Sequence, residues 1–218
     1  MKKIVSLLSG LWLAGCSVMG IRNTPEPEYQ VLLQDGEFEI RTYPSLWVAE
    51  TLVDTNYTEA GSIGFKRLAG YIFGGNTRRE KMAMTAPVLQ QTEGRQWRMA
   101  FVMPASYSLE TLPIPLDANV ALKQLPAKKV AVLQYSGALS EGVIARNSQK
   151  LLDWLTQRSL KPLSPTRSAA YDPPWTIPIL RRNEIHVDLK LLRHHCLLVA
   201  HGSRLEASND EIRTLATL

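Results

Sequence analysis

The sequence predicts an α+β fold in which duplicated β-α-β-β repeats form a distorted antiparallel β-barrel flanked by two helices. Most segments after residue 28 alternate apolar and polar residues as strands do, and two longer segments show helical spacing. The pattern Pro-x-x-x-Val-Ala at 44–49 also recurs 82 residues later, at 126–131. Because each half of the predicted domain, about 80 residues, buries little core alone, one duplicated domain is favoured over two independent ones.

The first repeat contains three strands before its helix. Residues 29–34 and 38–41 flank Asp35-Gly36, a dipeptide typical of a hairpin turn, and residues 46–53 form the third strand. Apolar residues at helical spacing then predict a helix over 59–73. Glycine accepts the left-handed conformation that follows a helix, so Gly74-Gly75 is expected to end it.

Two further strands, 82–90 and 96–103, are predicted as a hairpin around Glu93-Gly94. The second repeat follows the same order, with a helix over 141–158 and strands near 169–171 and 184–189. The folded domain is therefore expected to cover 28–190. Residues 191–218 are less regular and are interpreted as an appended C-terminal tail.

The N-terminus has the features of a secretory signal peptide over residues 1–15. Met1-Lys2-Lys3 supplies a basic start, and the apolar stretch of about ten residues is too short to span a bilayer. It ends in Leu13-Ala14-Gly15-Cys16, which resembles the lipobox of bacterial lipoproteins and predicts cleavage before Cys16 and acylation of its thiol. Residues 16–27 are then expected to be a flexible tether. The alternative is that residues 1–15 stay attached as an uncleaved membrane anchor and that Cys16 follows them by chance.

A lipidated Cys16 implies a protein anchored in the bacterial cell envelope and facing the periplasm. Several acyl chains hold a protein more firmly than the single chain that gives only marginal binding. Ser17 follows the cysteine where an aspartate would resemble an inner-membrane sorting signal, which favours the outer membrane. With Cys16 acylated, Cys196 has no partner within the chain, so no disulfide framework is expected.

Composition and charge exclude several classes of protein. A chain of 218 residues with 45% hydrophobic and 21% charged residues is neither disordered nor a coiled coil. The formal net charge of +5 comes from 25 Lys+Arg against 20 Asp+Glu, without a basic run long enough for a nucleic-acid arm. No nucleic-acid partner is therefore expected.

No catalytic constellation is evident in the chain. The sequence contains no G-x-S-x-G elbow, no G-x-G-x-x-G and no P-loop, so no catalytic residues and no enzymatic activity are expected. All four histidines lie at or beyond 186. His186 alternates with Ile185 and Val187 and is predicted to face solvent. A metal site over 194–201 is disfavoured against a solvated tail, because His194 and His201 would lie about 10 Å apart on a helix.

The predicted hairpin carries an apolar wall on one face. If the turn centres between Glu93 and Gly94, Met84 lies opposite Met103. A methionine-rich and aromatic wall suits a flat apolar ligand or a thioether ligand for iron, and an ordinary core is the alternative. Lys66 and Arg67 flank the apolar stripe of the first helix and could pair with carboxylates of such a ligand. The wall comprises Met82, Met84, Ala86 and Val88 on one strand and Trp97, Met99, Phe101 and Met103 on the next.

Several blocks in order resemble the SOUL heme-binding protein family. They are VLLQDGEFEIR at 31–41, GFKRLAGYIFGGN at 64–76, KMAMTAPV at 81–88, FVMP at 101–104, YDPPW at 171–175 and RRNE at 181–184. The resemblance implies a distorted β-barrel of two β-α-β-β repeats and a tetrapyrrole, such as heme, bound non-covalently in a groove between the first helix and the late Pro-rich loop. Carried over to this chain, the groove positions are Phe65, Arg67, Leu68, Tyr71 and Ile72 on the helix and Trp175, Ile177 and Ile179 on the loop.

Some relatives are described as holding heme through an axial histidine, which this chain lacks before residue 186. Binding is therefore expected to rest on apolar contact, with Arg67 or Lys66 pairing a propionate and Met84 or Tyr71 as a less favoured iron ligand. The expected function is an envelope-anchored tetrapyrrole carrier, buffer or scavenger. The alternatives are an effector-binding or hydrolytic module for another small amphipathic molecule, favoured by an inward-facing Glu or Tyr pair, and a ligand-free structural lipoprotein.

Overall fold

A computed structural model describes residues 24–190 of the chain. They form an α+β domain of nine strands and two helices, with one short 3-10 helix at Pro178–Leu180. The first repeat with its leading strands comprises β1 (Gln30–Asp35), β2 (Phe38–Tyr43), β3 (Leu46–Val53), α1 (Tyr57–Ile72), β4 (Val88–Glu93) and β5 (Gln96–Val102). The second comprises β6 (Ala121–Leu125), β7 (Lys128–Tyr135), α2 (Glu141–Gln157), β8 (Arg167–Ala170) and β9 (Asn183–Leu189).

All nine strands belong to one antiparallel sheet with the order β1-β2-β7-β9-β8-β4-β5-β3-β6. The order is symmetric about the β8–β4 pair, because β3, β4 and β5 of one repeat pair with each other as β7, β8 and β9 do. The two repeats also exchange strands, since β2 pairs with β7 and β6 pairs with β3. This arrangement agrees with the duplication seen in the sequence.

The predicted barrel is not closed by hydrogen bonds within residues 24–190. The sheet order has two ends, β1 and β6, that do not pair with each other. The two halves pair with each other through β4 and β8. Away from that pair they are linked through the chain, by Pro44-Ser45 between β2 and β3 and by Pro126-Ala127 between β6 and β7. The nine strands therefore form one antiparallel sheet that is not closed, and the distorted barrel stays a prediction.

The motif that recurs after 82 residues occupies equivalent positions in the structure. β3 and β7 are both eight residues long, and each begins two residues after the proline of its motif. Val48 and Ala49 are buried in β3, as their counterparts Val130 and Ala131 are in β7. The duplicated motif therefore marks two equivalent core strands.

Both helices pack on the same face of the sheet, here called the helix face. α1 lies on β3 and β5 over a core that includes Met99 and Phe101, and α2 lies on β7 and β9 over Leu133 and Ile185. The opposite face, here called the inner face, is also largely buried, with three small clusters that contain Val132, Ala100 and Ala169. The sheet thus has two covered faces.

Two details of the predicted hairpin are wrong. Met82–Pro87 is not a strand, because its backbone bonds elsewhere: the Met82 amide donates to Ile72 O at 2.8 Å, and the Ala86 amide to Pro25 O at 2.9 Å. The turn also lies one residue later, with Glu93 opposite Gln96, so Met84 does not lie opposite Met103. The shift in register is two residues, which leaves Met99 and Phe101 on the predicted face.

The expected tether ends against the domain. Glu26 pairs with Arg182 at 3.0 Å, so residues 25 and 26 contact the folded part of the chain. β6 had no counterpart among the predicted strands.

Among the helices of residues 24–190, none combines the length and apolar character that crossing a membrane takes. Residues 1–23, including Cys16, and 191–218 lie outside the described residues, so the signal peptide, lipidation and tail remain predictions.

Candidate functional site

The helix α1 is the main element of the predicted groove. Asn56 caps its start by accepting a hydrogen bond from the Glu59 amide at 3.0 Å. Gly64 lets the helix approach the sheet closely, since a Cβ there would lie 3.2 Å from the Met99 side chain. Gly75 allows a similarly close return of the chain, because a Cβ there would lie 2.6 Å from Gly70 O. These contacts fix which side of α1 faces the sheet.

Three of the predicted groove residues belong to the hydrophobic core. Leu68, Tyr71 and Ile72 are buried in one cluster beneath α1. The Tyr71 hydroxyl donates to Pro113 O at 2.9 Å, and burial raises the pKa of Tyr71 to about 12. A neutral, hydrogen-bonded phenol in the core is poorly suited to ligate iron. Met84 is half-buried and packs at the margin of the same cluster.

The other three α1 candidates reach the surface. Phe65 is 41% exposed and contacts Phe101 edge to face, with ring centroids 5.3 Å apart. Lys66 is exposed. Arg67 is half-buried, and its Nη1 donates to Thr51 Oγ1 at 3.3 Å and Leu52 O at 3.1 Å. Lys66 is therefore better placed than Arg67 to meet a carboxylate from solvent.

The late loop presents the remaining candidates. Trp175 is 64% exposed and Ile179 is 77% exposed, with Ile177 between them also exposed. The loop is held in shape by Arg181, which donates to Thr176 O at 2.7 Å and to Pro174 O at 2.5 Å. It is joined to the β7–α2 connection, where the Gly137 amide donates to Pro178 O at 2.9 Å.

The structure therefore brings the predicted residues together in two groups. Leu68, Tyr71, Ile72 and Met84 share one core cluster. Trp175, Ile177 and Ile179 share one loop whose backbone is fixed while its apolar side chains remain exposed. The assignment of these residues to a tetrapyrrole groove stays a prediction. Arg181 is used to hold the loop.

A buried polar network on the inner face was not predicted. Glu184 is fully buried and accepts hydrogen bonds from Arg41 at 3.0 and 3.1 Å and from Arg182 at 2.8 Å. Tyr171 donates to the same carboxylate at 2.8 Å, and His186 Nε2 lies 2.7 Å from it. His186 is therefore buried, and its predicted exposure to solvent is wrong.

The electrostatics of this network follow from burial and pairing. Burial by itself would raise the pKa of Glu184, but the hydrogen bond from His186 and the charge of Arg41 hold it well below its usual range. Burial lowers the pKa of His186, although its contact with Glu184 opposes this. Glu184 is thus ionised and His186 neutral near pH 7. No signal in the sequence distinguished these residues from the exposed side of an ordinary strand.

Histidines other than His186 lie outside the described residues, as does Cys196, so the disfavoured metal site over 194–201 remains without structural description. Within 24–190, no group of three or more His, Cys, Asp or Glu side chains is placed to hold a metal ion.

The chain belongs to the SOUL heme-binding protein family, whose sequence profile matches residues 24–188. Human heme-binding protein 2 is 28% identical over 127 residues, which are 55% of this chain and 60% of the human protein. Mouse heme-binding protein 2 is 39% identical over 61 residues, 28% of this chain and 30% of the mouse protein. The chain thus aligns with less than two thirds of the length of either relative.

Solved structures share the fold at low sequence identity. The C-terminal domain of EcmrR superimposes with a TM-score of 0.55 at 11% identity, over 75% of this chain and 99% of that domain. A hydrolase from Listeria innocua gives a TM-score of 0.52 at 9% identity, over 73% of this chain and 94% of that one. At these identities the similarity shows a common architecture and nothing of activity.

Proposed function

We propose that this protein is an envelope-anchored carrier, buffer or scavenger that binds heme or another tetrapyrrole non-covalently. The family membership carries the proposal, because the profile covers nearly the whole described domain and the two mammalian relatives are named as heme-binding proteins. The ligand is held mainly by apolar contact at the α1 surface and the 173–180 loop.

The exposed apolar side chains support this location. A soluble domain rarely leaves a tryptophan and two isoleucines exposed in one short loop without a partner for them. Trp175, Ile177 and Ile179 are in that position, and the hydrogen bonds from Arg181 keep their backbone fixed. A fixed apolar surface suits a rigid planar ligand, because little conformational freedom is lost when the ligand binds.

Binding in this proposal needs no axial histidine. His186 is the one histidine among residues 24–190, and it is buried with its Nε2 against Glu184. The affinity therefore comes from apolar area and from charge. Lys66, exposed beside Phe65, pairs with a propionate from the solvent side.

We further propose a binding role without a catalytic step. The most buried carboxylate, Glu184, is engaged by two arginines, and its lowered pKa makes it a weak base. An effector-binding or hydrolytic module for another small amphipathic molecule and a structural lipoprotein without a ligand stay the alternatives if no tetrapyrrole binds.

The anchoring proposal depends on Cys16 alone. Acylation of its thiol ties the domain to the membrane through the segment that precedes residue 28. Replacement of Cys16→Ser is expected to move the protein from the membrane fraction to the soluble fraction and to abolish labelling with radioactive palmitate. A Cys16→Ser protein that stays in the membrane fraction contradicts the anchor.

The location of the ligand is tested by titrating hemin into the purified protein and following absorbance. Trp175→Ala is expected to weaken binding about tenfold, since it removes a large apolar contact. Leu163→Ala is the matched control, because Leu163 is also 64% exposed but lies on the connection between α2 and β8. Equal affinity of the two variants would place the ligand elsewhere.

A further inference from the structure

The inner face contains a cavity that the tetrapyrrole proposal does not use. It measures about 160 Å³ and is bounded by β3, β4 and β5 of one repeat and by β7, β8 and β9 of the other. Strands β3 and β9 are not neighbours in the sheet, so the cavity lies where the two halves face each other. Its lining includes five charged residues, Glu50, Arg98, Lys128, Arg167 and Asp188, above an apolar floor of Val48, Leu89, Ala100 and Leu125.

The carboxylates of the cavity are already neutralised. Asp188 accepts from Arg167 at 2.6 Å and from Lys128 at 3.0 Å. Glu50 lies 3.5 Å from Arg98 and 3.7 Å from Lys123. A cationic ligand would therefore have to displace existing partners from either acid. The three lining cations outnumber the two acids by one, which favours a ligand with one negative charge.

Arg98 supplies a second indication. Its two terminal nitrogens face Glu50 and Glu93, but its Nε is buried and has no hydrogen-bond partner within residues 24–190. A buried donor without a partner is costly, because it has lost water without gaining an acceptor. A small shift of the Arg98 side chain would turn this nitrogen towards an oxyanion in the cavity, and the oxyanion would also balance the excess positive charge.

The floor and the size define the rest of the ligand. Val48, Leu89, Ala100 and Leu125 offer apolar contact beneath the charged residues. A cavity of about 150 Å³ holds a molecule the size of benzene. Tetrapyrroles are excluded by size, because pockets for even drug-sized ligands measure about 300–1,000 Å³.

We propose that this inner-face cavity is a second binding site, which takes a small monocarboxylate with a compact apolar body. Its carboxylate accepts from the Arg98 guanidinium, and its apolar body lies on the floor formed by Val48 and Ala100. The site is separate from the tetrapyrrole surface, because α1 packs on the other face of the sheet.

Benzoate is the probe, and benzamide is its neutral counterpart of the same shape. We expect isothermal titration of the full chain to give saturable benzoate binding with a dissociation constant of about 1 mM or tighter, and no binding of benzamide. Arg98→Gln removes the charge and is expected to weaken benzoate binding at least tenfold. Ala100→Leu fills the floor and is expected to abolish binding, while the cavity accommodates the added carbons and the protein stays folded.

Lys150→Gln is the matched control, since it removes one exposed cation that pairs with Glu37 far from the cavity. It should leave benzoate affinity unchanged. Hemin affinity, measured in parallel, should be unaffected by Ala100→Leu, so a failure of the cavity proposal is distinguishable from a failure of tetrapyrrole binding. Absence of benzoate saturation up to about 10 mM, equal binding of benzamide, or unchanged binding in folded Ala100→Leu would overturn the proposal.

Discussion

Arg41 in β2 and Glu184 in β9 form a two-pronged ion pair across 143 residues of sequence. Their nitrogen–oxygen distances are 3.0 and 3.1 Å, and the side chains are 1% and 0% exposed. The two strands flank β7 in the sheet. The pair therefore connects β2, which the first repeat contributes to the second half of the sheet, with β9, the last strand of the domain. It is the centre of the inner-face network.

Loss of one partner of this pair should destabilise the fold strongly. Arg41→Met leaves Glu184 buried with less positive charge around it, and we expect the free energy of unfolding in urea to fall by about 3–5 kcal/mol. Lys150→Gln removes an exposed pair with Glu37 and should cost less than about 1 kcal/mol. Similar small losses for both variants would mean that the buried pair contributes little.

The network also predicts lower stability in acid. The folded-state pKa of His186 lies below its value in the unfolded chain, so the unfolded chain takes up a proton first as pH falls below about 6.5. Glu184 causes a further loss of stability below its ordinary pKa of 4.5, because its folded-state pKa is also lowered. Both contributions are present at pH 7 and are lost on acidification.

We expect the free energy of unfolding to decrease between pH 7 and 5, with a slope of at most about 1.4 kcal/mol per pH unit from one histidine. His186→Gln keeps a hydrogen-bond donor without the titration and should flatten this part of the profile. A wild-type profile that rises towards pH 5, or an unchanged slope in the variant, contradicts the assignment.

Replacing either of two glycines near the end of α1 by alanine should change the stability of the protein, in opposite directions for the two positions. A Cβ at Gly75 would lie 2.6 Å from Gly70 O, a backbone atom that cannot turn aside, so Gly75→Ala should cost about 2 kcal/mol or more. Gly70 lies inside the helix with nothing within 4 Å of its added Cβ, so Gly70→Ala should stabilise by about 0.5–1 kcal/mol. Thermal unfolding of the two variants measures the difference, and a shared sign would refute the contact.

The propionate partner is testable through Lys66. Replacement of Lys66→Gln removes an exposed cation beside Phe65, and we expect hemin to bind about three- to tenfold more weakly. Lys161→Gln removes another exposed lysine, which lies after α2, and should leave the affinity unchanged. The difference between the variants should shrink at high salt, because screening weakens exposed pairs. No difference at low salt would remove Lys66 from the site.

Local signals predicted much of the fold. Residues 46–53 are β3 with the predicted bounds, and the helices predicted over 59–73 and 141–158 are found as α1 and α2 with ends shifted by at most two residues. Strand alternation and helical spacing depend on neighbours in sequence, so they remain visible without the tertiary structure. The repeat at 82 residues located the equivalent strands β3 and β7.

Properties set by distant parts of the chain were not predictable. His186 alternates with Ile185 and Val187 as an exposed residue would, but the sheet has a second covered face, so both sides of β9 are buried. Met82–Pro87 has the composition of a strand, but its amides find partners in Ile72 and Pro25. Of the candidate site, Trp175 and Ile179 are exposed as a groove requires. Leu68 and Ile72 lie in the core, because positions carried over by resemblance do not tell which side of α1 faces the sheet.

A tetrapyrrole held by apolar contact and charge needs no iron ligand. The most direct measurement compares the dissociation constants of hemin and iron-free protoporphyrin IX for the purified protein. We expect saturable one-to-one binding of both, with affinities that agree within about tenfold, or about 1.4 kcal/mol. Saturable binding of hemin alone, or of neither compound, would contradict it.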